Sequence, residues 1–172
     1  MQISVTSSEQ LQTQRFPLPV TIGVPLVAIF LQAYVPIHLR FFSILDLPLL
    51  VTLFFAVARR SPVSGLLTGA LIGLVQDSLT HQPLGMYGMS KTVVGYLASS
   101  VSLKLDVENP GSQFLMGLIF YLVHQGLYLF IARGLVSEML LLRWGHLLIG
   151  AFVNGLVAVP LFVFLNKTKR PA

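Results

Sequence analysis

The stretch GLLTGALIGLVQD, residues 65–77, decides the fold. It has one charged residue, Asp77 at its end, and three glycines, Gly65, Gly69 and Gly73, that recur at every fourth position. Residues four apart lie on one face of an α-helix, so these glycines form a bare stripe. Such stripes let helices approach closely inside a membrane. The pattern predicts a membrane helix whose stripe contacts either this protein's own bundle or a partner's helix.

The composition of the whole chain agrees with a membrane location. Of 172 residues, 55% are hydrophobic and only 10% are charged, whereas soluble proteins have about 25% charged residues. So few charges cannot coat a soluble globule, and we predict an integral membrane protein. This excludes a soluble enzyme, a disordered tail and a small secreted domain. Cysteine is absent, which excludes disulfides and cysteine metal sites.

Six stretches are apolar enough to be considered as membrane spans, which need roughly 20 residues each. They are residues 18–37, 44–58, 62–79, 87–103, 111–132 and 145–165, all approximate. Only short polar joints separate them, so we expect one integral membrane domain over residues 1–172, with a polar N-terminal segment at 1–16. The predicted fold class is all-α, a polytopic six-helix transmembrane bundle.

The basic residues predict the orientation, because cytoplasmic loops of membrane proteins are enriched in Lys and Arg. With both termini in the cytoplasm, the inner segments hold seven basic residues: Arg15, Arg59, Arg60, Lys104, Lys167, Lys169 and Arg170. The outer segments then hold three: Arg40, Arg133 and Arg143. The net charge of +5 includes no basic run of five or more residues, so we expect no nucleic-acid partner.

Polar residues around the joint between the third and fourth spans predict a site at the outer rim of the membrane. Asp77 ends the third span, Pro83 and Gly85 mark a tight turn, and Lys91 lies early in the fourth span. Ionisable groups at membrane depth are costly and often functional. We predict that Asp77 and Lys91 pair directly or through water, unless Lys91 only extends to the headgroups. His81 has no second ligand at a suitable spacing, so no metal site is expected.

The fifth span has a polar face. Tyr121, His124, Gln125 and Tyr128 occupy positions i, i+3, i+4 and i+7 of one helix. A polar face in a membrane helix turns inward. The interior predicted here is either a hydrogen-bonded core or a small polar cavity.

Enzymatic interpretations have little support. Ser90 and His124 are available for an intramembrane protease, but no Gly-x-Ser-x-Gly context surrounds Ser90. An aspartyl protease needs two aspartates within spans, and only Asp77 lies near one. His-Glu-x-x-His and phosphate-binding glycine motifs are absent from the sequence. We therefore expect no enzyme activity, no catalytic residues and no cofactor.

Several motifs, in their order and spacing, resemble the rod shape-determining protein MreD family. They are the acidic-apolar start DLPLL at residues 46–50, RRSP at 59–62, the glycine-rich helix ending in Asp77, and the PLG turn at 83–85. The resemblance is clearest over residues 44–110. Members of the family often have proline immediately before the acidic residue of the first motif. Here Leu45 precedes Asp46, which leaves the role of Asp46 open.

The resemblance implies a non-enzymatic scaffold of the bacterial cell-elongation (rod) complex in the inner membrane. Implied partners are MreC and, through the complex, the elongation-specific penicillin-binding transpeptidase, a RodA-type glycosyltransferase and, indirectly, the MreB cytoskeleton. The function implied is control of cell shape and of lateral peptidoglycan synthesis. The family fold is similar to the six-helix substrate-binding components of energy-coupling-factor transporters.

The alternative function is a small-molecule-binding component of a membrane transporter, with its ligand near His124 and Gln125. Such components that dock on a shared coupling subunit typically carry Ala-x-x-x-Ala on the first helix. Here Ala28 and Ala33 have the wrong spacing, which favours the scaffold.

Overall fold

The computed structural model describes residues 16–80, 82–103, 107–134 and 144–168. Its helices are α1 (Leu18–His38), α2 (Leu47–Arg59), α3 (Pro62–Leu79), α4 (Met86–Ser102), α5 (Pro110–Gly134) and α6 (Trp144–Asn166). The prediction of an all-helical fold with six helices is confirmed for the described residues. His81, most of the polar N-terminal segment and several of the counted basic residues lie outside those ranges.

Five helical stretches among the described residues are long and apolar enough to cross a membrane: α1, α3, α5, α6 and the stretch Phe41–Arg59. The helix that falls outside this group is α4, which has 17 residues. It is also the helix that carries Lys91 and several buried serines. Its faces are therefore less apolar, and it needs polar partners within the bundle.

The second span is interrupted near its start. The span predicted at about residues 44–58 lies within the apolar stretch Phe41–Arg59, which is not one continuous α-helix: Arg40–Ile44 form a 3₁₀ turn and α2 begins at Leu47. Asp46 causes the boundary: its Oδ1 accepts a hydrogen bond from the Leu49 N–H at 2.9 Å and so caps α2. Pro48, in the first turn of α2, also favours a helix start, because an N–H at that position would have no partner within the helix.

The core of the bundle is α2. Every residue from Pro48 to Ala58 is buried, and α2 contacts each of the other five helices. By contrast, the most apolar stretch of α1 has only 11% of its residues buried. A helix enclosed on all sides has only its two ends available for polar groups. This arrangement explains why Asp46 and Arg59, at the two ends of α2, are the charges that organise the structure.

Two ends of the bundle can be defined from these residues. At the Asp46 end, the Leu47 N–H donates to Gln32 Oε1 near the end of α1, at 3.2 Å. At the Arg59 end, the Arg59 guanidinium contacts Thr21 near the start of α1 and Ser64 near the start of α3. Arg60 and Asn166, the last residue of α6, also line one small pocket there. The start of α1 and the end of α6 therefore lie at the same end.

Candidate functional site: a buried polar cluster at the start of α2

An ion pair lies inside the bundle between α2 and α4. Lys91 Nζ is 2.9 Å from each carboxylate oxygen of Asp46. The Lys91 side chain is completely buried, and only 11% of the Asp46 side chain is exposed. The two residues are 45 positions apart in the chain. A bidentate, almost fully enclosed pair of this kind fixes the position of α4 against the start of α2.

Asp46 also connects α2 to α6 through Asn154. The Asp46 N–H donates to Asn154 Oδ1 at 2.9 Å, and Asn154 Nδ2 donates to the carbonyls of Ile44 and Gly150 at 2.9 and 2.8 Å. Asn154 is fully buried. One amide side chain thus satisfies backbone groups before α2 and within its own helix. This geometry holds the 3₁₀ turn against α6.

His124 of α5 lies beside the pair without a hydrogen bond of its own. Its Nδ1 is 3.7 Å from Asp46 Oδ2, and both ring nitrogens are buried with no hydrogen-bond partner among the described residues. The Tyr87 ring stacks on the imidazole, with centroids 5.9 Å apart and planes within 4°. Tyr87 also stacks on Tyr128, at 4.9 Å. Aromatic packing therefore holds His124 in place.

Lys91 and these rings form one unit. The Lys91 ammonium lies 5.2 Å from the centroid of the Tyr87 ring, which is cation–π distance. We define the polar cluster as Asp46, Lys91, Tyr87, His124 and Asn154. Its members come from α2, α4, α5 and α6, and Gln32 of α1 bonds the adjacent backbone. The cluster therefore joins the helices that surround the start of α2.

Energetics decide what the cluster can do. Removing two charges from water is expensive, and their attraction offsets this only with good geometry and additional hydrogen bonds. The Asp46 carboxylate has both: two contacts to Lys91 and one from the Leu49 N–H. Deleting one partner of a buried pair typically costs about 3–5 kcal/mol. The pair thus favours the observed arrangement of α2 and α4, because separating the two side chains inside the bundle would leave a buried charge unpaired.

The prediction that Asp77 and Lys91 pair directly is wrong. Lys91 binds Asp46, and the Asp77 carboxylate accepts three backbone N–H groups, from Gly85 at 2.9 Å, Tyr87 at 3.0 Å and Gly88 at 3.1 Å. These groups are at the start of α4, where N–H groups lack helical partners and the helix dipole attracts an anion. Lys91 lies further into α4, on the side that meets α2.

The turn between α3 and α4 is built around this carboxylate. Gly85 has a φ of 103°, a left-handed conformation that a side chain would disfavour. The Pro83 carbonyl accepts the Met86 N–H at 3.3 Å, which closes the turn. Asp77 is fully buried beneath it. Asp77, Pro83 and Gly85 are therefore one local structure, and Lys91 belongs to the polar cluster instead.

The glycine stripe of α3 is covered by α4. A Cβ atom added at Gly65, Gly69 or Gly73 would collide with backbone atoms of Gly95, Lys91 and Tyr87, respectively. The stripe therefore lies within the protein's own bundle, and the suggestion that a partner's helix docks on it is wrong. The close approach of the two backbones also fixes the positions of Lys91 and Tyr87, whose side chains belong to the polar cluster.

The polar face of α5 divides between two neighbours. His124 and Tyr128 face α4, and the Tyr128 hydroxyl donates to Gln82 Oε1 at 3.3 Å. Tyr121, buried, has its hydroxyl against Gly150 of α6. Gln125 is half-buried. His124 is completely buried beside the rings of Tyr87 and Tyr128, so this face contributes to the core of the bundle.

The chemistry available at the cluster is limited. Ser90 donates its hydroxyl hydrogen to the Met86 carbonyl at 2.7 Å, and not to His124. Among the described residues there is no group of three or more His, Asp or Glu side chains that could hold a metal ion. The cluster comprises an ion pair, a stack of aromatic rings and a bridging amide, and these contacts hold the helices in position.

A family model described as rod shape-determining protein MreD matches residues 14–168, nearly the whole chain. The chain belongs to the MreD family. The match extends well beyond the motifs at residues 44–110 that carried the resemblance. Membership gives the chain a role in determining rod shape, and it identifies the apolar helices as those of a multi-pass membrane protein of the MreD type.

No curated protein and no solved structure matches the chain. The expected likeness of the MreD fold to substrate-binding components of energy-coupling-factor transporters therefore stays a prediction. The sequence motifs predict the polar cluster of this MreD family member only in part. Asp46 belongs to the DLPLL motif, and Asn154 is a polar residue in an apolar span, which predicts an interior position. The contacts of Asp46 with Asn154 and Lys91 have no comparable signal in the sequence.

Proposed function

We propose that this protein is a non-enzymatic scaffold of the bacterial cell-elongation complex, and that it binds MreC within the inner membrane. Through MreC it acts on the elongation-specific transpeptidase and the RodA-type glycosyltransferase, and indirectly on MreB. It thereby helps to control cell shape and lateral peptidoglycan synthesis. The observation that carries the proposal is the match to the MreD family over residues 14–168.

The interior of the bundle supports a role without chemistry. Asp46 and Lys91 neutralise each other, Asn154 is fully engaged with backbone groups, and the Tyr87 ring stacks on His124. A ligand-binding component would instead need an open polar space near His124. We therefore favour the scaffold over the transporter component, with the protein acting through its helix faces and short loops.

Within this function the predicted site residues have structural roles. Gly65, Gly69 and Gly73 hold α3 on α4, while Asp77, Pro83 and Gly85 shape the turn at the Asp46 end. Lys91 acts with Asp46 in the polar cluster. Tyr121, His124, Gln125 and Tyr128 fill the interior side of α5. We propose that these contacts preset the surfaces that MreC recognises.

The orientation we propose has both termini in the cytoplasm, so that the Arg59 end is the inner end. Two observations support it: the seven-to-three distribution of basic residues, and the position of the start of α1 and the end of α6 at the same end of the bundle. The chain has no cysteine. Single cysteines at Leu84 and Thr168 can therefore report the side of each end without background labelling. We expect an impermeant thiol reagent added outside to label Leu84→Cys only, and the reverse labelling would refute the orientation.

Binding to MreC is tested by co-purification. The tagged chain is extracted in mild detergent from rod-shaped cells that depend on it, and MreC is quantified in the eluate. We expect MreC to be enriched over a tagged, unrelated multi-pass protein, and cells depleted of the chain to become round. Recovery of a vitamin-sized ligand with no wall-synthesis protein would refute the scaffold and favour the transporter component.

A further inference from the structure

A groove on the outside of the bundle runs between α1, α2 and α3 at the Arg59 end. It has a volume of about 220 Å³, and its walls are almost entirely apolar, with Ile22 and Pro25 on one side and Leu71 and Val75 on the other. Along α1 it extends from Thr21 to Ile29. At 1.5 Å per residue this is about 12 Å, close to the roughly 15 Å of hydrocarbon in one membrane leaflet.

The groove has a cation at one end. Arg59 lines it, half-buried, with its guanidinium 5.5 Å from the centroid of the Phe55 ring. Its Nη1 is 3.2 Å from Ser64 Oγ and its Nη2 is 3.5 Å from Thr21 Oγ1. Both partners are neutral hydroxyls. Within the part of the chain that the structure describes, neither of the two ion pairs includes Arg59.

This arrangement has a chemical consequence. A guanidinium has five N–H donors in a planar fork, which suits the oxygens of a phosphate. Arg59 has used two of its nitrogens on neutral hydroxyls, so its charge is not compensated by those contacts. Thr21 and Ser64 add hydroxyls beside it. A phosphate bound to Arg59 would lie at the end of the apolar groove, whose length is close to the thickness of one membrane leaflet.

We propose that this groove is a binding site for an anionic glycerophospholipid. The phosphate binds Arg59, with Thr21 and Ser64 beside it, and one acyl chain lies between α1 and α3 toward Val75. This occupant matches the groove at both parts: its anionic headgroup complements Arg59, and its acyl chain complements the apolar walls. A partner's apolar helix would cover the groove but would leave the Arg59 charge uncompensated unless it carried an acidic side chain at this depth. In the proposed orientation the lipid belongs to the cytoplasmic leaflet, where anionic lipids are present.

The lipid also accounts for the weak attachment of α1. Few residues of this helix are buried, it contacts α2, α3 and the 3₁₀ turn Arg40–Ile44, and it contains Pro25 and Pro36 within its length. An acyl chain in the groove would fill the space between α1 and α3. The inference is independent of MreC binding and goes beyond the proposed function.

The test uses native mass spectrometry of the full chain in mild detergent, with dioleoyl phosphatidylglycerol as the probe. Dioleoyl phosphatidylcholine has the same chains and no net charge, and inorganic phosphate tests the headgroup without chains. We expect one phosphatidylglycerol to bind about tenfold more tightly than phosphatidylcholine, because the choline ammonium of the latter offsets part of the attraction between its phosphate and Arg59. Inorganic phosphate should not displace it at equal concentration. Equal binding of the two lipids would overturn the proposal.

Matched variants separate the site from general surface charge. Arg59→Gln should weaken phosphatidylglycerol binding about tenfold, while Lys167→Gln, which removes one exposed charge at the same end, should not. Ile22→Trp should block the groove. Val27→Trp is its control, because Ile22 and Val27 are both on α1 and 57% and 58% exposed, but Val27 is not among the residues that line the groove.

Two results would refute the site directly. One is equal binding by Ile22→Trp and Val27→Trp, a comparison that holds even if Arg59→Gln fails to fold. The other comes from cells: a photoreactive amino acid at position 22 that crosslinks a protein and no lipid would assign the groove to a protein partner. MreC co-purification with Ile22→Trp, measured in parallel, shows whether the two functions are separate.

Discussion

Lys91 of α4 holds both carboxylate oxygens of Asp46 at 2.9 Å, with its own side chain completely buried. This contact determines how α4 meets the core helix α2. It also means that the charges at the Asp46 end act in two separate structures: Asp46 with Lys91, and Asp77 with the start of α4.

The first prediction concerns the ion pair itself. Lys91→Met should lower the free energy of unfolding by about 3–5 kcal/mol, because it leaves the Asp46 carboxylate buried without its counter-ion. Asp46→Asn combined with Lys91→Met should lose much less, since both charges are then gone and Asn can still cap α2. Unfolding in bicelles measures both. Strictly additive losses would show that the two side chains do not interact.

The second prediction concerns the Asp77 carboxylate. Asp77→Ala should destabilise the protein by about 1.5–3 kcal/mol, because three N–H groups at the start of α4 lose a charged acceptor. Hydrogen exchange of the Gly85, Tyr87 and Gly88 amides should accelerate. Ser78→Ala is the control, since Ser78 is exposed and bonds only its own helix. Unchanged exchange at these amides would contradict the capping role.

The third prediction concerns the α3–α4 contact. Gly69→Ala should destabilise the bundle by about 1–3 kcal/mol, because the added Cβ meets the Lys91 backbone, which cannot move aside as a side chain could. Gly126→Ala is the control, since nothing lies within 4 Å of the added atom. That change should be neutral or stabilising by up to about 1 kcal/mol. Thermal unfolding in detergent distinguishes them, and equal effects would mean that α4 does not cover the stripe.

The fourth prediction concerns His124. His124→Phe should change stability by less than about 1 kcal/mol, because the imidazole makes no hydrogen bond among the described residues and a ring can still stack on Tyr87. His124→Ala should cost several times more, since it leaves a cavity beneath the Tyr87 ring. Rod shape of cells carrying His124→Phe is the functional measurement. Round cells with normal amounts of His124→Phe protein would mean that the imidazole nitrogens are required.

Much of the fold followed from apolar length. The six helices were predicted because each needs a long apolar run, and the glycine spacing of α3 correctly placed three residues on one face. Apolar length does not mark the start of α2 at Leu47, because apolar residues before Asp46 continue the hydrophobic pattern. Asp46 before Leu47 and Pro48 is a helix-capping pattern. That signal in the sequence marks the boundary.

The polar cluster could not be predicted in the same way. Closeness in sequence across a short turn favours Asp77 as the partner of Lys91, whereas the partner in the structure, Asp46, is 45 residues away. Asn154 and Asp46 are 108 residues apart. Such pairings depend on how each helix rotates about its axis, and hydrophobic length does not fix that rotation. The packing of α4 on both α2 and α3 determines that Lys91 binds Asp46 and not Asp77.

Rod-shape complementation by Asp46→Asn combined with Lys91→Met is the most direct measurement of whether the buried charges serve only to arrange the helices. The double variant replaces the charged chain in depleted cells, and cell width and co-purified MreC are measured beside the single variant Lys91→Met. We expect the double variant to restore rods and retain MreC, and the single variant to restore neither. If the double variant is folded, inserted at normal levels and still leaves round cells without bound MreC, the charges themselves take part in the function.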